Sequence, residues 1–351
     1  MTRPLLFQRF PALAEGIPWI GLGDLPTPVE AVPGLGGGRL WVKRDDLSSR
    51  RYGGNKVRKL EFALADARRL GKQTIVTLGG TGTHHGLATT IFAGTLGMQC
   101  RILTFRQPLT VQVRDNLRLL AHHGAELSDC RTMGRALLHY YLVERLRRPG
   151  AYFYFAGGSS PLGTLGFVDA AFELKAQIEA GQAPAPAVVF LAAGSNGTLA
   201  GLTLGLRLAG IQARVLGVRV TPARCGPFPA CTPGEARRLM IAAWRLLKRH
   251  CPDLSQMDVT APEMTGAYFG GGYGTPTAAG TRAAQAALET VGIDLEPTYT
   301  AKAFAAVLDY LENSRPGPVL YWHTYNGVDL GTEAAQADIS RLPAALRRMA
   351  A

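Results

Sequence analysis

Apolar positions along this chain switch repeatedly between two periods. In "KVRKLEFALADARRLG", Val57, Leu60, Leu64 and Ala67 share one face of a 3.6-residue repeat, which predicts a helix that Gly71 ends. The apolar run "TIVTL" that follows is short and unbroken, the pattern of a strand buried on both faces. The exchange then recurs: "GLATTIFAGTLG" reads as a helix, "CRILTF" as a strand and "VQVRDNLRLLAHHG" as a helix. "AYFYF", "AVVFLAA" and "ARVLGVRV" are further strands, separated by helices over "GTLGFVDAAFELKAQIEAG" and "GTLAGLTLGLRLAG". Such alternation predicts an α/β protein with parallel sheets covered by helices on both faces, and two interleaved lobes are compatible with it. Composition alone places no boundary between them.

Ligands of parallel sheets collect at the carboxyl ends of strands. Two glycine-rich loops, 79–86 and 194–197, fall at such positions. Length and charge narrow the picture only a little. The 351 residues suffice for one large or two medium domains. The net charge of +12 is spread over amphipathic stretches such as "EARRLMIAAWRLLKRH" and "RLPAALRRM", which favours a solvated surface over a nucleic-acid partner. Five cysteines without a C-x-x-C pair argue against a zinc ribbon or disulfide framework and for a reducing, cytoplasmic setting. The N-terminus lacks the apolar core of a signal peptide. "APAPAVVFLAAGSNGTLAGLTLGL" is long enough to span a membrane, but Ser-Asn-Gly-Thr at its centre favours a strand, loop and helix. The expected protein therefore has neither a membrane nor a nucleic-acid partner.

Three segments carry candidate chemistry. "GGTGTHHG" ends in His84 and His85, which invites a metal reading. Adjacent residues at a helix start do not share a face, however, and a ligand pair needs i, i+2 or i, i+4 spacing, so no metal is expected. In "AAGSNGTLAGL", Gly194, Ser195, Asn196, Gly197 and Thr198 can offer backbone N–H groups and hydroxyls to a phosphate at a helix start. A tight strand-to-helix turn would use the same residues. Lys56 follows Gly-Gly-Asn at the start of a helix, where the helix dipole and exclusion from water both lower a lysine pKa toward the neutral amine of Schiff-base chemistry. The alternative is a solvated lysine on a charged helix.

"KRDDL…GGNKVRKLEF" resembles the segment around the cofactor lysine in the D-cysteine desulfhydrase and 1-aminocyclopropane-1-carboxylate deaminase family. The likeness continues in order through "GGSSPLGTLGFVDAAFEL", "AAGSNGTLAGL", "YGTPT", "EPTYTAKAF" and "VLYWHT". The resemblance implies a tryptophan-synthase-β-like fold (pyridoxal-phosphate fold type II), with a small domain over 58–165 inserted in a large cofactor-binding domain over 1–57 and 166–351. It also implies a homodimer and bound pyridoxal 5'-phosphate. Lys56 would be the Schiff-base lysine with Asn55 beside it, and Gly194, Ser195, Gly197 and Thr198 the phosphate cup, with Asn196 where a glycine is usual. Tyr273 and Tyr299 match the two active-site tyrosines, Thr300 the position facing the pyridine nitrogen, and Thr324 the closing "HT" motif. Small hydroxyl residues at Thr300 and Thr324 match the desulfhydrase branch; the deaminase branch has a glutamate and a leucine there. The implied reaction is β-elimination from a small amino acid of the D-cysteine type; the alternatives are cyclopropane ring opening, a diverged member with a specialised amino-acid substrate and, last, a non-catalytic ligand-binding protein.

Two departures bear on the substrate. Where the family has "GG-x-Gln-Ser-Asn-His", this chain has Thr83, His84 and His85 in the loop that approaches the substrate carboxylate. His84 replaces an amide with a ring that titrates near neutral pH and would act as a cation on a carboxylate or, neutral, shape the pocket. The Gly-Gly after "HT" is Tyr325-Asn326 here, which adds bulk beside the cofactor ring.

Overall fold

The computed structural model describes residues 3–254, 256–257, 259–313 and 316–351. In chain order the strands are β1 (Val29–Val32), β2 (Leu40–Arg44), β3 (Thr74–Gly80), β4 (Gln99–Phe105), β5 (Glu126–Arg131) and β6 (Tyr152–Phe153). They continue with β7 (Val188–Ala193), β8 (Arg214–Arg219), β9 (Arg224–Cys225), β10 (Phe228–Pro229), β11 (Glu263–Thr265) and β12 (Val319–His323). β5-β4-β3-β6 form an all-parallel four-stranded sheet. A second sheet has the order β1-β2-β12-β7-β8-β11, parallel except for the antiparallel edge pair β1–β2. β9 and β10 make a separate antiparallel hairpin. The fold is thus α/β with two open, largely parallel sheets, as the alternation of apolar runs predicts.

Its elements follow the sequence pattern with informative differences. Every residue of β7, "VVFLAA", is buried, because helices cover both faces of its sheet. The strand over "TIVTL" runs on through Gly79 and Gly80, so the first glycine-rich loop begins inside the sheet. "AYFYF" contributes only the two residues of β6. The helix Lys56–Arg69 is buried almost all round, including Arg58, Lys59 and Glu61 on what a one-faced reading makes its solvent side. Ion pairs explain Arg58, which lies 2.8 Å from Asp45 and 2.9 Å from Glu173, while Lys43 also pairs with Glu173. Trp322 Nε1 donates to the same Asp45 at 2.8 Å. These buried charges are tolerable because each is paired and hydrogen-bonded. Together they fix the helix that begins with Lys56 against the large sheet.

"RLPAALRRM" is likewise not all surface. Leu346 and Ala350 are fully buried in the core of the small sheet's helices, together with Leu87, Leu117 and Leu120. Among the described residues no helix is long and apolar enough to cross a membrane.

Candidate active site

The loops after β2, β3, β7 and β12 converge between the two sheets, at the carboxyl ends of their strands. They surround a cavity of about 1140 Å3. Asn55, Lys56, Thr83, His84, His85, Gly194, Ser195, Asn196, Thr198, Tyr273, Tyr299, Thr300, Thr324 and Tyr325 all line it. Gly197 stands directly behind the wall, its N–H donating to Ser159 Oγ at 3.0 Å.

Lys56 is the first residue of its helix, and the turn before it needs glycine. Gly54 has φ +87°, and a Cβ there would lie 2.7 Å from the Thr324 carbonyl oxygen. Asn326 holds the same turn by accepting from Gly53 N at 2.6 Å. Asn326 thus anchors the loop before Lys56 from a position where the family places glycine. Lys56 Nζ donates to Asn55 Oδ1 at 2.6 Å, and Asn55 Nδ2 donates to Thr198 Oγ1 at 3.0 Å. Burial pushes the Lys56 amine down to about 8, against a smaller opposing pull from Glu296. A group so placed supplies a neutral amine near physiological pH.

Next to Asn55, the start of the helix Gly197–Leu208 forms a cup. Helix N-termini leave N–H groups without helical partners and carry a positive dipole end. Asn196 takes the left-handed conformation, φ 66°, that its glycine counterpart would adopt without strain. Its side chain holds it there: Nδ2 donates to Ala230 O at 2.9 Å, and Cys231 Sγ approaches Oδ1 at 3.4 Å. Two features of the cup went unread in the sequence. Lys59, one turn along from Lys56, is buried, and its Nζ donates to Gly157 O at 3.1 Å. Ser159 Oγ donates to Ser195 Oγ at 2.8 Å. A Cβ on Gly197 would lie 2.6 Å from Ser159 Oγ and 2.9 Å from Lys59 Nζ, so the glycine keeps this corner open. Burial and the charge on Lys56 hold the Lys59 ammonium well below its usual range. A buried amine beside a helix N-terminus suits an anion such as a phosphate, whose charge would favour the ammonium form.

The opposite wall is built on the helix His84–Thr95. Thr83 caps it, its Oγ1 accepting from Gly86 N at 3.1 Å, which leaves the hydroxyl proton free to point into the cavity. His84 and His85 part company. His84 Nδ1 is 2.9 Å from the Tyr52 hydroxyl, whereas His85 Nε2 meets Thr77 Oγ1 of β3 at 2.9 Å. Among the described residues no group of three or more His, Cys, Asp or Glu is arranged to hold a metal. Burial, then the Lys56 charge, pushes His84 down to about 3, which favours the neutral, pocket-shaping ring of the two roles open to it. Tyr325 stands edge-on to it, with ring centroids 5.2 Å apart, and its hydroxyl accepts from Gln112.

Tyr273 and Tyr299 close the site with hydroxyls 2.5 Å apart. Burial raises both, Tyr273 to about 12, which keeps the phenols protonated at physiological pH. Glu296 also went unread. Its buried carboxylate accepts from Thr298 N at 2.8 Å, Thr300 N at 3.0 Å and Tyr299 N, capping the helix Thr300–Glu312. A carboxylate at a helix N-terminus is favoured by the dipole, and here it fixes the backbone of Tyr299 and Thr300.

Comparison with known proteins agrees with this geometry. Residues 20–324 match the family described as pyridoxal-phosphate dependent enzyme. D-cysteine desulfhydrase of Klebsiella pneumoniae subsp. pneumoniae is 34% identical over 322 residues, covering 88% of this chain and 93% of the relative. That of Salmonella schwarzengrund is 33% identical over the same shares. A crystal structure titled as an ACC deaminase homologue superposes with a TM-score of 0.77 at 30% identity, covering 92% of this chain and 95% of that one. A T.th. threonine deaminase shares the fold, with a TM-score of 0.60 at 19% identity over 93% of this chain and 98% of its own. A match that spans most of the chain, with curated relatives aligned over nearly all of it, makes this protein a member of the pyridoxal-phosphate dependent enzymes.

Proposed function

We propose that the protein is a pyridoxal-phosphate dependent lyase that releases the β-substituent of a small amino acid, D-cysteine being the leading candidate. The observation that carries this reading is the meeting of Lys56, Thr83 and the Tyr273–Tyr299 pair in one cavity with an anion cup. The 194–198 cup and Lys59 would hold the cofactor phosphate, Lys56 the aldehyde end, and Thr300 the ring nitrogen. Bound pyridoxal phosphate supplies the electron sink that stabilises negative charge at the substrate Cα.

The chain's own groups do the rest. The free N–H groups at the start of the helix His84–Thr95, with the Thr83 hydroxyl, bind the substrate carboxylate. Lys56 Nζ removes the Cα proton, a task suited to an amine held near 8. Tyr273 and Tyr299, both neutral, orient and protonate the departing group. Water then completes the conversion of cysteine to pyruvate, sulfide and ammonia. Thr300 and Thr324 stand where the deaminase branch has a carboxylate and a leucine, and the carboxylate of Glu296 is occupied by backbone N–H groups. The resemblance to a structure titled as an ACC deaminase homologue keeps cyclopropane ring opening as the second reading. We further propose a cytoplasmic homodimer, a reading supported by the five free cysteines and by the family resemblance.

A substrate panel scored for sulfide, α-keto acid and ammonia tests the assignment. Sulfide and pyruvate from D-cysteine are expected. Release of 2-oxobutyrate from the cyclopropane amino acid, without turnover of D-cysteine, would reverse it.

A further inference from the structure

The cavity is larger than its reaction centre requires. Sites for drug-sized ligands occupy about 300–1,000 Å3, and this one measures about 1140 Å3. A cofactor and a three-carbon amino acid leave much of that space unused. At the reaction centre His84 stands edge-on to Tyr325 and Tyr273 to Tyr299, and the lining continues past Tyr299 to Thr221 and the β9–β10 hairpin.

Gly194 marks the transition: a Cβ there would stand 3.4 Å from both Tyr299 and Thr221. Thr221, whose Oγ1 donates to Gly194 O at 3.0 Å, leads into the hairpin of β9 and β10. The hairpin forms one wall of a vestibule, and Asn196 tethers it to the cup through Ala230 O. The facing wall is the helix Met133–Leu138, which continues as a π-helical segment over His139–Glu144. That segment sends Tyr140 into the core and leaves the next residue, Tyr141, at the vestibule. π segments are concentrated at functional sites. The two walls touch where Cys225 Sγ approaches Met133 Sδ at 3.2 Å.

The vestibule is lined by Met133, Leu137, Tyr141, Phe155, Phe228 and Pro229. Three of its aromatic side chains remain open to solvent: Phe228 is 71% exposed, Tyr141 49% and Phe155 37%. Apolar surface gathered around a cavity mouth marks a place where something apolar binds. At the rim Arg238 pairs with Glu235 at 2.5 Å and Arg106 with Asp129 at 3.3 Å, while Arg224 turns back onto the Pro227 carbonyl of its own hairpin.

We infer that the vestibule receives a bulky, neutral, apolar group carried on the substrate's sulfur, so that the enzyme acts on S-substituted cysteines in preference to cysteine. The inference rests on the β-elimination reading above and deepens it. In this reaction the Cβ–S bond breaks, sulfur departs with the electron pair, and it is protonated to a thiol. Lys56 takes the Cα proton. One water supplies the keto oxygen of pyruvate, and the nitrogen leaves as ammonium. No oxidant or reductant is needed.

The test compares the holoenzyme on each enantiomer of cysteine and of S-benzylcysteine, scoring pyruvate and the released thiol. The expected result is a kcat/KM for one S-benzyl enantiomer at least about tenfold above that for cysteine, the scale set by a few well-buried methylene groups. Leu137→Trp, which fills the vestibule, should lower the ratio of the two kcat/KM values by about tenfold. Phe228→Ser, at an exposed position that does not endanger folding, should lower the same ratio. Turnover of cysteine without S-benzylcysteine, or a ratio unchanged in Phe228→Ser, would overturn the inference while leaving the β-elimination reading in place. Pyruvate from neither substrate would overturn both.

Discussion

The hydroxyl of Tyr52 lies 2.9 Å from Nδ1 of His84, and Asn116 Nδ2 lies 3.2 Å from the same nitrogen. With Tyr325 edge-on to the ring, His84 is fixed by three side chains from three separate segments. The imidazole therefore shapes the wall beside the reaction centre as a neutral group.

His84→Asn tests this. Since burial holds the ring at about 3, it stays neutral between pH 5 and 8 in the folded protein. The variant should keep the shape of the wild-type kcat/KM profile across that window, while the loss of ring contacts with Tyr52 and Tyr325 lowers kcat/KM by roughly tenfold, as for a lost hydrogen bond and ring contact. A wild-type inflection near pH 6–7 that disappears in His84→Asn would show the ring titrating.

Gly197→Ala addresses the cup. A Cβ there would crowd Ser159 Oγ and Lys59 Nζ, and overpacking a tight site costs about 1–3 kcal/mol, roughly ten- to hundredfold in Kd. Cofactor affinity, measured by titrating the stripped protein with pyridoxal phosphate, should fall by that factor. Unchanged affinity would place the phosphate elsewhere.

A third prediction concerns stability. Asp169 is buried on the helix Pro161–Glu179 and accepts from Leu6 N at 2.7 Å. Burial raises its carboxyl to about 7, against an opposing effect of that N–H. The unfolded chain has the ordinary value of 3.8, so it loses its proton first as pH rises. The native state is then progressively destabilised between about pH 4 and 7. Asp169→Asn escapes this loss. Its Tm should exceed that of the wild type by a few degrees more at pH 8 than at pH 5. A Tm difference independent of pH would contradict the account.

Much of the architecture was legible because both sheets are covered on two faces, which turns their strands into unbroken apolar runs such as "VVFLAA". Lys56, the cup and the tyrosines were legible because each sits in a short segment whose order along the chain resembles a known family. Lys59 was not. In "KVRKLEF" it has the pattern of a solvated lysine, and only the folding of Gly157 and Gly197 around its ammonium makes it part of the site. Tyr52 and Glu296 were missed for the same reason. Their partners lie on another segment or on backbone N–H groups, which no side-chain pattern displays. The C-terminal "RLPAALRRM" misled in the opposite direction: its arginines suggest solvent, but Leu346 anchors it in the small sheet's core.

The central claim is that the cofactor is carried on Lys56 and not on its buried neighbour Lys59. Borohydride reduction of the purified protein, followed by peptide mapping, tests it directly. A phosphopyridoxyl adduct on Lys56, with loss of both the adduct and the visible absorption band in Lys56→Ala, is the predicted result. An adduct on Lys59, or a band that survives Lys56→Ala, would contradict it.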